Sequence, residues 1–352
     1  SQEGANPLLI ETQLVPSGDR MEIVPPTGLS AGSWRWRVKA IDQYGAESEW
    51  SEWSEFFVQR DMPAQLHGIG TFALNLQPQR SGIQDMFNGA IAFAYWNPTT
   101  KAYEERSTLE PGKAYWYKAE SPVTVRLSGT PIDQSLPIPL VPGWNLIPSL
   151  ARLSVDFNSI QVKKGDTVKT LAEARDAGWL EDYLWGWYPE TSDPLRGSYR
   201  LVYDSRIVPG VVDVLEPWRG YWIYAHTNCE LLLGQRSRAT GLREVSSALG
   251  GWGLRLVART SDGSAEVLLG VSHSRSVAVE HPPIPPGTSS SVRLSITHGD
   301  VKLGADIRRR SALNEGWDIE LEVAPSESGR EVILTWPNIT MLPRSVNLMI
   351  ID

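Results

Sequence analysis

The sequence predicts an all-β chain built as an array of several β-sandwich modules, and three observations predict it. Apolar and polar residues alternate with a period of two along many short runs. Turn pairs punctuate those runs, at Pro111-Gly112, Pro142-Gly143, Pro209-Gly210 and Pro286-Gly287. The length of 352 residues, at roughly 150 residues per domain, suggests about two to three domains.

The alternation is clearest in Trp34-Arg35-Trp36-Arg37-Val38-Lys39-Ala40, where Arg35, Arg37 and Lys39 share one face. Further strands are expected at Ala114 to Ala119, Val123 to Leu127, Gly220 to Ala225, Gly253 to Ala258, Val292 to Ile296 and Glu331 to Trp336. The last residues, Ser345 to Asp352, also read as a strand. One short helix is expected near 170–178. Thr170-Leu171-Ala172-Glu173 forms a capping box, Leu171, Ala174 and Trp179 face the core, and Gly178 stops the helix. A weaker helical candidate is Ile83 to Asn88.

Leu109-Glu110-Pro111-Gly112-Lys113-Ala114-Tyr115-Trp116 recurs as Leu215-Glu216-Pro217-Trp218-Arg219-Gly220-Tyr221-Trp222. Each copy is followed by an apolar strand ending in Gly, at Val123 to Gly129 and Cys229 to Gly234. Trp96-Asn97-Pro98 matches Trp187-Tyr188-Pro189 upstream, and the opening strands Gly70 to Leu76 and Gly143 to Ile147 also correspond. Four segments follow from this: a partial domain over 1–60, a first β module over 63–130, a second over 131–236 with a helical insertion, and a C-terminal β-sandwich over 245–352.

Composition excludes several function classes. A single Cys cannot make an internal disulfide or a Cys-based zinc site. A net charge of −8 disfavours nucleic acid as a partner, and no apolar run is long enough for a membrane span. His67, His226, His273, His281 and His298 lack metal-ligand spacing, and no EF-hand pattern occurs. No cofactor is expected. A structural calcium is the metal that suits a secreted β protein, with Asp42, Asp133, Asp166 and Asp306 near turns but no ligand set assigned. Nucleophile-elbow, Walker and dinucleotide-binding motifs are absent, Cys229 reads as core, and no enzyme is expected. Asn338-Ile339-Thr340 matches the N-glycosylation pattern.

The run Leu29 to Asp42, followed by Gly45 and then Ser48-Glu49-Trp50-Ser51, resembles the second half of a fibronectin type III domain of bacterial surface proteins. Trp50-Ser51-Glu52-Trp53-Ser54 also resembles the Trp-Ser-x-Trp-Ser box of class I cytokine receptors. That resemblance implies a ladder in which Trp50 and Trp53 interleave with Arg35, Arg37 and Lys39 by cation–π contact. A complete fibronectin-like sandwich needs about seven strands, so the resemblance also implies that the opening strands come from outside this chain or that the domain is partial. The repeated modules and the C-terminal segment resemble β modules of large secreted bacterial proteins.

The aromatic content, 15 Trp and 11 Tyr beside 6 Phe, raises stacking on sugar rings as the leading ligand chemistry. Trp185, Trp187, Tyr188 and Tyr199 are expected to cluster around one loop and are the candidate sugar or partner contacts. Core packing is the competing use of such rings. Two functions follow. The first is a non-enzymatic structural or adhesive protein of the cell surface. Its partners would be other protein subunits or surface components, joined by strand addition into a filament or sheath, unless the chain is a fragment of a large surface protein. The second is a carbohydrate-binding accessory module of a secreted enzyme, with polysaccharide as partner.

Overall fold

The computed structural model describes residues 32–42, 44–58, 63–80, 82–133, 135–150, 154–233, 251–261, 263–286, 292–309, 315–324 and 331–351. Residues 1–31 of the segment expected over 1–60, Gly234, residues 245–250 and Gly287 lie outside them. The chain is mostly strand and divides into two compact units, 1–62 and 63–352.

In the first unit the strands Gly32–Trp36 and Ser54–Val58 pair antiparallel, with Trp36 opposite Ser54. Beyond them, serine spacing maintains the pairing. Ser51 accepts from the Val38 N–H through its hydroxyl (3.0 Å) and donates its own N–H to the Val38 carbonyl (2.8 Å). Ser48 repeats this with Ala40 (2.9 Å each way). The connecting turn is closed by Asp42, whose carboxylate accepts from the Tyr44 and Ala46 N–H groups at 2.9 Å.

The second unit holds two sheets of the same topology. In the first, Gln65–Ala73 pairs with Ala114–Val125, which pairs with Ala92–Asn97, which pairs with the edge strand Ala102–Arg106. In the second, Gly143–Pro148, Gly220–Ala225, Leu184–Pro189 and Gly197–Val202 follow the same order. Strand register aligns the copies residue by residue. Trp116 lies opposite Ala94, and Trp222 opposite Trp185. Trp96 faces Tyr103, and Trp187 faces Tyr199. Ala119 faces Gly68, and Ala225 faces Gly143, so the opening strands match at Gly68 and Gly143 rather than at Gly70.

The repeated Leu-Glu-Pro-x-x-x-Tyr-Trp sequence has a geometric purpose. The Tyr115 hydroxyl accepts from the Glu110 N–H at 2.7 Å, and the Tyr221 hydroxyl from the Glu216 N–H at the same distance. Each buried tyrosine thus satisfies a backbone donor in the loop before its own strand. The two loops also take the same left-handed turn, by Gly112 (φ +75°) in one copy and by Trp218 (φ +64°) in the other.

The copies pack face to face, exchanging equivalent contacts as across an approximate two-fold axis. The Trp96 indole N–H donates to the Trp144 carbonyl (2.8 Å), while the Trp187 N–H donates to the Ile69 carbonyl (2.9 Å). Trp96 meets Trp222 edge to face at 5.3 Å, and Trp187 meets Trp116 at 5.4 Å. Edge-to-face pairs of this kind are worth about 0.5–1.5 kcal/mol each beyond the area they bury.

The helix Leu171–Asp176 inserts in the second copy as expected, with Thr170 and Glu173 forming a reciprocal capping box and Leu171 and Ala174 buried. The other helical candidate is a single turn, Ile83–Met86, that runs directly into the strand Phe87–Asn88.

A seven-stranded sheet follows, in the order Asp318–Val323, Val292–His298, Val301–Arg309, Ser264–Ser272, Trp252–Arg259 and Ile333–Thr335, with Val277–Glu280 pairing beside Val301–Arg309. Val267 and Leu269 point into its own core with Leu254, Leu256 and Leu294. Leu268, Val277, Val279, Ala305 and Ile307 join the core of the second module. The expected strand at 345–352 is not formed among residues 345–351, and Leu348, Met349, Ile350 and Ile351 are exposed. High β propensity does not make a strand without a neighbour to complete its ladder.

Candidate functional site

The Trp-Arg ladder has the geometry implied by the sequence. Arg35 lies 4.5 Å from the Trp53 ring centre, Arg37 lies 4.5 Å from both Trp53 and Trp50, and Lys39 lies 5.3 Å from Trp50. Cations on alternate strand positions meet rings spaced three residues apart on a segment held by Ser48 and Ser51. At roughly 0.5–1 kcal/mol per exposed contact, the ladder contributes a few kcal/mol to its own unit.

The four candidate sugar contacts do not form a loop. Trp185, Trp187 and Tyr188 lie within the strand Leu184–Pro189, and Tyr199 lies in its neighbour Gly197–Val202. Trp185 is 1% exposed, Trp187 9% and Tyr199 8%, so none offers a free ring face. Trp185 donates to the Glu280 carbonyl (3.0 Å) and stacks on His281. Tyr199 donates to the Pro283 carbonyl (2.6 Å) and accepts from Trp222 (3.1 Å). Tyr188 is sandwiched between the guanidiniums of Arg200 (4.9 Å) and Arg219 (4.8 Å). Gly186 lies between the two tryptophans, and a Cβ there would lie 2.9 Å from Tyr188 and 3.0 Å from Tyr221, so the glycine is required by close packing within the strand.

Of the turn aspartates, Asp42 closes its turn, Asp133 accepts from Ser135, and Asp306 pairs with Arg308 at 2.9 Å. Among the described residues, no three His, Cys, Asp or Glu side chains converge on a point suited to a metal. Asn338 is tied into the sheet, its amide oxygen accepting from the Arg255 N–H and its amide nitrogen donating to the Gly253 carbonyl, both at 2.9 Å.

A charged cluster between the second module and the seven-stranded sheet was missed by sequence reasoning. Glu266 is 6% exposed and takes a two-pronged contact from Arg255, with both N···O distances at 2.5 Å, plus the Ser198 hydroxyl at 3.1 Å. Arg219 pairs with Glu216 at 2.8 Å. Arg200, beside them on Gly197–Val202, has a buried Nε without a hydrogen-bond partner. Burial, then the neighbouring Arg255 charge, pushes the Arg200 pKa below the ordinary arginine value. A cavity of about 100 Å³ opens here, lined by Arg200, Arg255, Glu266, Trp185, Tyr199 and Leu268 among others. The only sequence signal was Ser198 and Arg200 alternating with Tyr199 and Leu201, a polar face on a strand whose other face is core.

No family model, curated protein or solved structure matches the chain. No helix among the described residues is long and apolar enough to cross a membrane.

Proposed function

We propose that the chain is a non-enzymatic structural or adhesive component of the cell exterior that assembles with other protein subunits by strand addition. The observation that carries this reading is the strand Asp318–Val323. Among the described residues it stands at the end of the seven-stranded sheet and alternates Ile319 (37% exposed) and Leu321 (39% exposed) with Glu320 and Glu322. An edge strand with a half-exposed apolar face is a template for pairing with another chain. Two further features support a scaffold. The aromatic rings that would otherwise suggest a ligand are used to join the two modules, and the Trp-Arg ladder stabilises the first unit without needing a partner.

Sedimentation equilibrium across a wide concentration range tests the reading. The expected result is concentration-dependent assembly that Ile319→Lys with Leu321→Lys abolishes while the circular dichroism spectrum is retained. A monomer at every concentration, or assembly indifferent to the two lysines, would overturn it.

A further inference from the structure

Arg200 lines a cavity and keeps a buried Nε with no hydrogen-bond partner. Glu266 is committed to Arg255 and Ser198, and Glu216 to Arg219. Three guanidiniums, those of Arg200, Arg219 and Arg255, therefore share two carboxylates, and Arg200 and Arg219 flank the Tyr188 ring. Removing a charge from water without a partner costs several kcal/mol, and a donor such as the Arg200 Nε adds the cost of an unmade hydrogen bond. The cavity against Arg200 has space for several water-sized groups. It is far smaller than the roughly 300–1,000 Å³ of a pocket for an organic ligand. Trp185, Val267 and Leu268 give it apolar walls as well, which would strengthen an ionic contact made beside them.

We propose that this cavity is a binding site for a small inorganic anion, of chloride to phosphate size, held against Arg200 between the second module and the seven-stranded sheet. The anion balances the third guanidinium, accepts from the orphaned Nε and links two β layers that otherwise meet there through Glu266. This inference does not depend on the assembly reading, because the site is enclosed within one chain.

The test is thermal unfolding of the full chain at constant ionic strength, with sodium gluconate, whose anion is too bulky for the cavity, replaced stepwise by sodium chloride or sodium phosphate. The expected result is a rise in Tm that grows with the logarithm of anion concentration above the dissociation constant and reaches about 3–5 °C at roughly 100 times that constant. Arg200→Gln should abolish the rise and, in gluconate alone, melt no lower than the natural protein, because it removes a partly buried charge that has no carboxylate of its own. An equal rise in both proteins, or no rise in the natural protein, would overturn the proposal. Should Arg200→Gln fail to fold, bromide-soaked crystals of the natural protein decide the matter. An anomalous peak in the cavity beside Arg200 supports the site, and its absence refutes it.

Discussion

Trp218 holds a backbone conformation that its counterpart in the first module assigns to glycine. Its φ is +64°, against +75° at Gly112. The left-handed region costs a non-glycine residue about 1–2 kcal/mol. The chain tolerates it because the Trp218 ring is 2% exposed and stacks on Phe72 of the other module at 6.0 Å. Replacing a buried Trp by Ala costs about 3–5 kcal/mol. The Trp218 indole N–H is itself buried without a partner, which places this site near the low end of that range. Trp218→Ala loses the ring and keeps the strained turn, whereas Trp218→Gly loses the ring and relieves the strain. The glycine variant should therefore be the more stable of the two by about 1 kcal/mol, although glycine is ordinarily the worse choice for a folded chain. Gly112→Ala is the mirror experiment. Its added Cβ would meet only an Ile132 methyl at 3.9 Å, so the expected loss of about 1 kcal/mol is conformational rather than steric. Guanidinium chloride unfolding followed by far-ultraviolet circular dichroism measures all three. Equal stability of the two Trp218 variants, or a neutral Gly112→Ala, would refute the reasoning.

Three further outcomes are expected. Tyr115→Phe and Tyr221→Phe each orphan a loop N–H and should cost about 1–3 kcal/mol in denaturant unfolding, by similar amounts in the two modules; a large cost in one alone would contradict their equivalence. Arg37→Ala removes two of the four ladder contacts and should destabilise the first unit by about 1–2 kcal/mol, measured by limited proteolysis of that unit, with Arg37→Lys recovering part of the loss. His281 is partly buried against Trp185 with its Nε2 3.3 Å from the Leu294 carbonyl; desolvation lowers its pKa, with Arg293 adding to the effect and Leu294 and Glu266 opposing it. The unfolded chain then binds the extra proton first. Stability should fall as pH drops below about 6.5, by at most about 1.4 kcal/mol per pH unit. Asp182, whose carboxyl burial pushes up to about 6 against the pull of Arg175, gains stability as pH falls through 6 and acts in the opposite sense. The difference between the natural protein and His281→Gln isolates the histidine, and identical pH profiles would exclude its role.

The features legible in the sequence were those whose chemistry is local. Arg35, Arg37 and Lys39 fall on one face by the strand period alone, and Thr170 and Glu173 cap a helix within one turn. The Leu-Glu-Pro repeat was visible because Tyr115 and Tyr221 reach only five residues back along the chain, which fixes the spacing. The face-to-face contact of the modules was not visible. Trp187 donates to Ile69 across more than a hundred residues of chain, and nothing near either residue announces it. The same gap explains the misplaced sugar contacts. That Tyr221 lies against Gly186 is not written in the sequence around either residue. The Arg200 cavity was likewise hidden, because Glu266 and Arg255 reach it from strands distant in sequence.

The exchange of contacts between the two modules resembles that of a symmetric dimer, but both halves lie on one polypeptide. Tethering replaces dilution with a fixed, high effective concentration, so the pairing does not weaken as the protein is diluted. It also lifts a constraint that true symmetry imposes. In a homodimer every substitution appears twice at the interface, so a tryptophan placed at one loop would have to be accommodated at the other. Here one loop keeps glycine while the other drives a tryptophan into its neighbour. Among the described residues, the second copy carries a helical insertion and a covering sheet that the first does not. The two halves are free to specialise without losing the surface that holds them together.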